Sequence, residues 1–355
     1  MKTSHYTSLF AFVLACLFAF ALSSCSREDF PPINSENNDR GYIIATLNTQ
    51  TRDALAENVG DKILHTVRIF VFVGDDLETQ QIFRRSHPNE WYNPFRLEVA
   101  IGKKNVLVVA NETAYMTPAL EAAQTIEELY SIKTEHRASF FEFIPTQGLP
   151  MTGREDDVHV TIGGEKTTIV LTKLVAKLNI TIIDGSKCGN IQINSITLFN
   201  NKGSSLLWGR SDDAFLSASE SDFFDKHITV SKTNDRWIVP TLYLYENLHG
   251  QNNRDKATRL EIKAILRLDS GNGIDFNDFP VIYSVYINEQ LSNVSAVDSP
   301  EKSHFLIQRG HHYRLTGTIW GTEYTHITVK MNVEAWQEGN SPPQRPLPPL
   351  LPPTG

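Results

Sequence analysis

The sequence predicts an all-β protein built as a sandwich or a barrel. Short segments rich in β-branched and apolar residues recur along its 355 residues, and turn-forming residues separate them about every 8–15 positions. Several of these segments alternate apolar and polar residues, which is typical of strands with one buried face. The apolar spacing of an amphipathic helix is scarce. A chain of this length can form two domains of ordinary size.

The first half of the chain contains one series of predicted strands. Residues 105–110 (NVLVVA) form a continuous apolar run, which indicates a strand buried on both faces. Residues 158–162 and 167–171 flank Gly163-Gly164, a turn signal that predicts a β-hairpin. Residues 125–131 are compatible with a short helix. The other predicted strands of this series are residues 42–49 (YIIATLNT), 65–73 (HTVRIFVFV) and 95–100 (FRLEVA).

A second series of predicted strands follows residue 173. Residues 191–199 (IQINSITLF) alternate strictly, which places Ile191, Ile193 and Ser195 on one face. The chain closes with the proline-rich residues 341–355, and since proline cannot donate to a ladder, this tail is predicted to be extended and unpaired. The other predicted strands are residues 178–183, 228–230, 237–239, 242–245, 259–268, 280–287, 313–320 and 327–333.

The N-terminus has the pattern of a secretion signal that ends in a lipoprotein box. Lys2 supplies the positive start, and an apolar run of 14 residues, 9–22, follows it. This run suits a signal peptide and is short for a membrane span of about 20 residues. Leu22-Ser23-Ser24-Cys25 then gives the order that a lipoprotein signal peptidase needs, so residues 1–24 are predicted to be removed and Cys25 to be lipidated. The alternatives are a soluble secreted protein cleaved near Ala21 and an N-terminal membrane anchor.

Charge and cysteine usage exclude two broad classes of protein. The formal net charge of −8 argues against nucleic-acid binding. Only Cys25 and Cys188 remain after the predicted processing, so the fold is not a disulfide scaffold. Cys188 lies in a predicted turn, and a free thiol without a chemical role is favoured there over a nucleophile.

The sequence offers no catalytic, metal or cofactor site. It lacks the G-x-S-x-G, Walker and H-E-x-x-H motifs. His311-His312 are adjacent next to a predicted strand, where successive side chains point to opposite faces, and this disfavours shared metal ligation. The carboxylate pairs Asp156-Asp157 and Asp212-Asp213 are more typical of solvated turns than of calcium sites. A hydrolase is therefore disfavoured, and no cofactor is expected.

The order of several motifs resembles the FimA/Mfa1 fimbrillins, the pilins of Bacteroidales fimbriae. The resemblance implies an all-β fold of two tandem β-sandwich domains with transthyretin-like (Greek-key) topology. It divides the chain into a signal peptide (1–24), a lipidated propeptide (25–52), sandwiches at 53–172 and 173–337, and a proline-rich tail (338–355). The motifs that carry it are the box at Cys25, a first strand closing on Arg52, and residues 62–73, 102–111, 149–153, 171–180, 309–315 and 333–336.

The resemblance also implies a mechanism of assembly. The first strand fills a groove in the first sandwich until an Arg-specific protease cuts between Arg52 and Asp53, and a strand of the next subunit then takes its place. Without the resemblance, Arg52 reads as an ordinary turn residue, and Arg40 and Arg84-Arg85 are competing sites. The removable strand would comprise Tyr42, Ile43, Ile44, Ala45, Thr46 and Leu47.

The function implied is that of a structural subunit of cell-surface fimbriae that serves adhesion. Its implied partners are other fimbrial subunits, an Arg-specific protease, the outer membrane through the lipid of the precursor, and a host or bacterial surface receptor. The proline-rich tail is a poor donor strand and favours a tip or accessory subunit, although residues 327–333 remain an alternative donor. A different class of function is a monomeric surface lipoprotein that binds carbohydrate by stacking on Trp91, Tyr92, Trp208 or Trp320.

Overall fold

A computed structural model describes ten segments of the chain, and these segments are almost entirely β-structure. The described residues are 39–48, 64–84, 94–134, 148–185, 189–208, 223–249, 254–269, 276–288, 305–319 and 327–335. They contain eighteen strands, two short α-helices and one 3-10 helix, Arg254–Lys256. The predicted all-β class is confirmed.

The first eight strands form a sandwich of two sheets. Its smaller sheet has the order β4-β1-β7 and its larger sheet has the order β3-β2-β5-β6-β8. Apolar side chains from both sheets share one buried core, to which β1, β4 and β7 contribute Ile43, Leu97 and Ile169. The strands are β1 (Arg40–Asn48), β2 (Thr66–Val73), β3 (Asp76–Arg84), β4 (Phe95–Ala100), β5 (Gly102–Ala110), β6 (Met151–Val160), β7 (Glu165–Val170) and β8 (Thr172–Lys173).

The remaining strands form a second sandwich with its own core. One sheet has the order β11-β10-β15-β16, and the other has the order β12-β13-β9-β17-β18, with β14 also paired to β9. The strands are β9 (Val175–Asp184), β10 (Gly189–Lys202), β11 (Phe223–Ile228), β12 (Ser231–Thr233), β13 (Arg236–Ile238), β14 (Leu242–Tyr245), β15 (Arg259–Asp269), β16 (Phe276–Tyr286), β17 (His311–Ile319) and β18 (Ile327–Ala335). Two tandem sandwiches are thus observed, while the predicted domain boundaries stay a prediction.

Two helices cover the outer face of the larger sheet of the first sandwich. They are α1 (Thr117–Ala122) and α2 (Ile126–Ser131), and their residues Leu120 and Leu129 pack on Phe70 of β2 and Leu107 of β5. A capping box between Thr125 and Glu128 fixes the start of α2. Because the sheet is covered on both faces, the apolar run of β5 is buried on both sides, as its sequence predicts.

A buried arginine connects the larger sheet to the segment that leads from β5 into α1. Arg68 of β2 donates two hydrogen bonds to the Glu112 carboxylate, at 2.7 and 2.9 Å, and one to Gln80 at 2.9 Å. The Arg68 and Glu112 side chains are only 4% and 3% exposed. The hydrogen bond to Glu112 raises the pKa of Arg68, so the guanidinium stays charged at any physiological pH.

A segment that follows β10 joins the second sandwich to the first. Ser205 accepts a backbone hydrogen bond from Thr134 at 2.7 Å, and Leu207 donates one to Ile132 at 3.0 Å. The hydroxyl of Thr152 in β6 donates to the carbonyl of Leu207 at 3.1 Å. Residues 204–208 therefore pack as an additional element of the first sandwich, although they continue a strand of the second.

The predicted hairpin at Gly163-Gly164 is wrong. A tight turn does form, since the amide of Gly164 donates to the carbonyl of Thr161 at 2.9 Å. However, β6 and β7 lie in different sheets, and β7 pairs in parallel with β1. A turn signal gives the reversal of the chain but not the partner of each strand, so the chain here crosses from one sheet to the other.

The predicted strict alternation of residues 191–199 is also wrong. A bulge between Ile193 and Ser195 shifts the register of β10 against β15. Ser195 consequently lies opposite the exposed Lys263, and the core face continues with Ile196 and Leu198. An extra residue in one strand exchanges its two faces, which a pattern of period two cannot anticipate.

Candidate functional site

The first strand occupies an unusual position in its sheet. β1 lies between β4 and β7, so it is bordered by hydrogen-bonded strands on both sides. It runs parallel to β7, with Ile43 opposite Glu165 and Asn48 opposite Val170. No other strand of the described chain precedes it in sequence. A central strand is thus supplied by the N-terminal end of the described sandwich.

The side chains of β1 alternate between the core and the outer face. Ile43 and Ala45 are fully buried, and Leu47 is 4% exposed, all within the core of the first sandwich. Ile44 is half-buried on the outer face, and Thr46 is exposed there. Complete burial of an Ile or Leu side chain contributes about 1.5–3 kcal/mol each. Removal of β1 would therefore open an apolar slot between two strands with unpaired backbone groups.

Two glycines leave no space around the beginning of β1. A Cβ on Gly41 would overlap the carbonyl oxygen of Thr161 and lie 2.9 Å from Val160 Cγ1. A Cβ on Gly164 would overlap the ring of Tyr42, and Gly164 has a φ of +80°, which favours glycine in any case. The backbone of β1 and the Tyr42 ring therefore pack directly on the turn between β6 and β7.

An arginine from the other neighbouring strand completes this arrangement. The guanidinium carbon of Arg96 in β4 lies 4.4 Å from the centroid of the Tyr42 ring, within the range of a cation–π contact. Tyr42 is thus contacted from β4 on one side and from the turn that leads into β7 on the other. Sequence reasoning missed Arg96 and Gly41, and it identified Gly164 only as a turn residue, because nothing local relates these positions to Tyr42.

The structure describes some of the predicted site residues but not others. The predicted removable strand, Tyr42 to Leu47, lies within β1 and is central in its sheet. Cys25, Arg52 and Asp53 lie outside the described residues, as do Cys188 and the proline-rich tail. Lipidation and cleavage therefore stay predictions. Among the described residues, no helix has the length and apolar character needed to cross a membrane.

The aromatic residues weighed for carbohydrate binding do not form a described platform. Trp208 is half-buried, packs against the apolar cluster under the helices, and lies 5.6 Å from the Tyr130 ring. Its surroundings are those of a packed side chain. Trp91, Tyr92 and Trp320 lie outside the described residues.

The adjacent histidines are held by separate partners. His312 is buried, and its Nε2 lies 2.5 Å from the side-chain oxygen of Asn179. His311 is half-buried, and its Nδ1 donates to the carbonyl of Arg309 at 3.0 Å. Within the described segments, no group of three or more His, Cys, Asp or Glu side chains is placed to hold a metal ion.

Comparison with known proteins connects these features to a family. A model of the family described as "Fimbrillin-A associated anchor proteins Mfa1 and Mfa2" matches residues 35–341. The sequence is 24% identical to the major fimbrium subunit FimC of Porphyromonas gingivalis, over 96% of this chain and 73% of that protein.

Solved structures share the fold at low sequence identity. The tip fimbrial protein Mfa3 of P. gingivalis with C-terminal truncation matches with a TM-score of 0.57 at 14% identity, covering 84% of this chain and 100% of the other. A fimbrilin (fimA) from P. gingivalis W83 also matches with a TM-score of 0.57 at 14% identity, covering 85% and 98% of the two chains.

Proposed function

The chain belongs to the family of fimbrillin-A associated anchor proteins Mfa1 and Mfa2, and on this premise we propose that β1 is a removable strand that keeps a fimbrial subunit closed until assembly. The protein is a fimbrial, adhesion-related protein of the cell surface and not an enzyme. The proposal concerns how it enters the fimbrium. Its partners would be other fimbrial subunits.

One observation carries the proposal: β1 is central in its sheet and yet comes first in the described chain. A central strand provides two ladders of backbone hydrogen bonds and an apolar face, which are the interactions that a replacing strand can reproduce. Because β1 precedes the rest of the sandwich, a single cut after it separates it from the domain. The predicted cut is the Arg52–Asp53 bond, and the lipid on Cys25 would leave together with the strand.

We propose a tip or accessory position for this subunit, and the composition of residues 341–355 supports it. Residues 341–355 are rich in proline and cannot form a regular donor ladder. The alternative donor, residues 327–333, belongs to β18, which pairs with β17 from Ile319↔Ile327 to His311↔Ala335. Its release would break that whole ladder. A subunit that accepts a strand but does not donate one is placed at the tip or as an accessory subunit.

N-terminal sequencing of the chain in purified fimbriae tests the processing step. The expected first residue is Asp53. The variant Arg52→Lys should remain uncut by an Arg-specific protease and stay out of fimbriae, while Arg40→Lys serves as the matched control and should assemble normally. A chain that starts at Cys25 within assembled fimbriae would overturn the proposed mechanism.

Immunogold labelling tests the position of the subunit separately. An antibody against this chain should label the ends of fimbriae. Regular labelling along the shafts would contradict the tip assignment, and it would leave the removable strand to be judged by the sequencing experiment.

A further inference from the structure

The beginning of the groove around β1 contains a specific arrangement of three residues on the outer face of the sheet. Arg96 of β4, Tyr42 of β1 and Gly164, the turn residue immediately before β7, form a row across the sheet. Ile43 of β1 pairs with Glu165 of β7, and the two strands run parallel. The preceding residues, Tyr42 and Gly164, are therefore neighbours as well.

The contact between Tyr42 and Gly164 depends on the absence of a side chain at position 164. Any Cβ there would overlap the Tyr42 ring. The turn holds this glycine in place, because the amide of Gly164 donates to the carbonyl of Thr161 at 2.9 Å. On the side of β4, the Arg96 guanidinium lies 4.4 Å from the ring centroid. The groove thus presents the backbone of Gly164, which has no side chain, and the Arg96 guanidinium to the side chain at position 42.

Position 41, which precedes Tyr42, is restricted by the backbone of Thr161 rather than by a side chain. A Cβ on residue 41 would overlap the carbonyl oxygen of Thr161, and this carbonyl already accepts the turn hydrogen bond from Gly164. The carbonyl cannot move away without opening the turn. Only glycine fits at this position in the observed register.

We propose that the groove selects a donor strand that carries a glycine followed by an aromatic residue, bound parallel to β7 at the positions of Gly41 and Tyr42. This inference rests on the proposed function, since it assumes that another strand replaces β1. The pair also fixes register, because a shift by one residue would bring a side chain into the position where only glycine fits.

The sequence indicates that the donor belongs to a different subunit. In all 355 residues, glycine is followed by Phe, Tyr or Trp only at Gly41-Tyr42, which the proposed cut removes. No strand from β2 to β18 contains this pair, so we take the donor to be a subunit other than a second copy of this chain. The partner is a subunit whose donor strand contains the glycine–aromatic pair, followed by alternating apolar residues for the slots of Ile43, Ala45 and Leu47.

A strand-exchange experiment on the full chain tests the proposal. A specific protease site is inserted after Arg52, the chain is cut there, and a fluorescent peptide with the sequence of residues 40–48 is exchanged into the groove. Unlabelled peptides then compete for binding. Their Tyr42→Ala version should compete about tenfold more weakly, because it loses the ring contact with Gly164 and the cation–π contact with Arg96. Their Tyr42→Phe version should compete like the original.

Two further peptides provide the matched comparison. The Thr46→Ala peptide changes another outer-face residue of β1, one that is exposed, and should compete within about twofold of the original. The Gly41→Ala peptide should compete at least tenfold more weakly, because of the overlap with the Thr161 carbonyl. The Arg96→Ala protein lacks the cation that faces the Tyr42 ring. In this protein, the original peptide and its Tyr42→Ala version should therefore differ less in how strongly they compete.

The outcomes separate this inference from the proposed function. Failure of every peptide to exchange, including the original sequence, would overturn both the removable strand and the selection that rests on it. Exchange of the original peptide with equal competition by the Tyr42→Ala, Gly41→Ala and Thr46→Ala peptides would overturn the selection alone. The comparison among peptides uses the unaltered groove, so it holds even if the Arg96→Ala protein does not fold.

Discussion

Replacement of Arg309 by methionine should release the segment that joins the two sandwiches. Arg309 precedes β17, and its guanidinium donates to the carbonyls of Leu207 and Leu206 at 2.8 and 2.9 Å. It also donates to the Ser205 hydroxyl at 2.9 Å and to the Glu246 carboxylate at 3.2 Å. One side chain of the second sandwich thus holds three consecutive residues that pack on the first.

The magnitude follows from which groups lose their partner. The Leu207 carbonyl keeps a hydrogen bond from Thr152, and the Leu206 carbonyl keeps one from Ser205, so these acceptors are not orphaned. Glu246 is different, because its side chain is only 8% exposed and its carboxylate faces Arg309. Removing one partner of a buried ion pair costs about 3–5 kcal/mol, mainly because the other charge stays buried. We expect Arg309→Met to lower the free energy of unfolding by this amount.

Urea unfolding followed by tryptophan fluorescence and far-UV circular dichroism measures the change. Arg267→Met is the matched control, since Arg267 pairs with Asp278 on the same sandwich with side chains 48% and 46% exposed, and it should cost less than about 1 kcal/mol. Adding Glu246→Gln to Arg309→Met should recover part of the loss. The reasoning is wrong if Arg309→Met resembles the control, or if the double variant is no more stable than the single one.

Three further predictions concern buried groups. Burial raises the pKa of the Tyr313 hydroxyl above its ordinary value of 10.0. The contribution of this hydroxyl to stability is therefore intact below about pH 10 and is lost as the pH rises further. Tyr313→Phe should flatten the fall in unfolding free energy measured between about pH 9 and 11. Ile43→Ala should destabilise the uncut chain by about 2–5 kcal/mol in urea titrations, while Thr46→Ala on the outer face should change it by less than about 0.5 kcal/mol. Arg68→Met should cost about 3–5 kcal/mol in the same assay, because Glu112 would remain buried without its cation, and a loss below about 1 kcal/mol would contradict this assignment.

The sequence predicts strands well where burial imposes a pattern. β4 and β14 begin and end where the pattern places them, because their apolar residues face a core. β3, Asp76–Arg84, was missed: it reads DLETQQIFR, and most of its side chains are half-exposed. It is a strand because it pairs with β2 along its length after the turn at Gly74. Its structure comes from its partner rather than from its own residue pattern.

The candidate site was likewise predictable from the sequence only in part. The β-branched and apolar residues of β1 identify it as a strand, and its family resemblance marks it as removable. Its place between β4 and β7 depends on pairing between residues as far apart as Ile43 and Glu165, which no local pattern encodes. The contacts of Tyr42 with Arg96 and Gly164 follow only from that pairing. Reading strands from sequence therefore finds β1, but the contacts that we propose select a replacement strand can be identified only from the structure.

Under the proposed mechanism, the energetics of β1 account for an exchange that starts with cleavage alone. Loss of β1 would remove the burial of Ile43 and Leu47, about 3–6 kcal/mol in total, and would leave the facing backbone groups of β4 and β7 unpaired. While β1 is covalently attached, its effective concentration at the groove is on the order of millimolar, so a competing strand is excluded. A cut removes this high effective concentration without changing any contact between β1 and the groove. In the proposed mechanism, the contacts that hold β1 would then provide the affinity for an incoming strand. The strand that matches the glycine, the aromatic residue and the apolar slots would be selected.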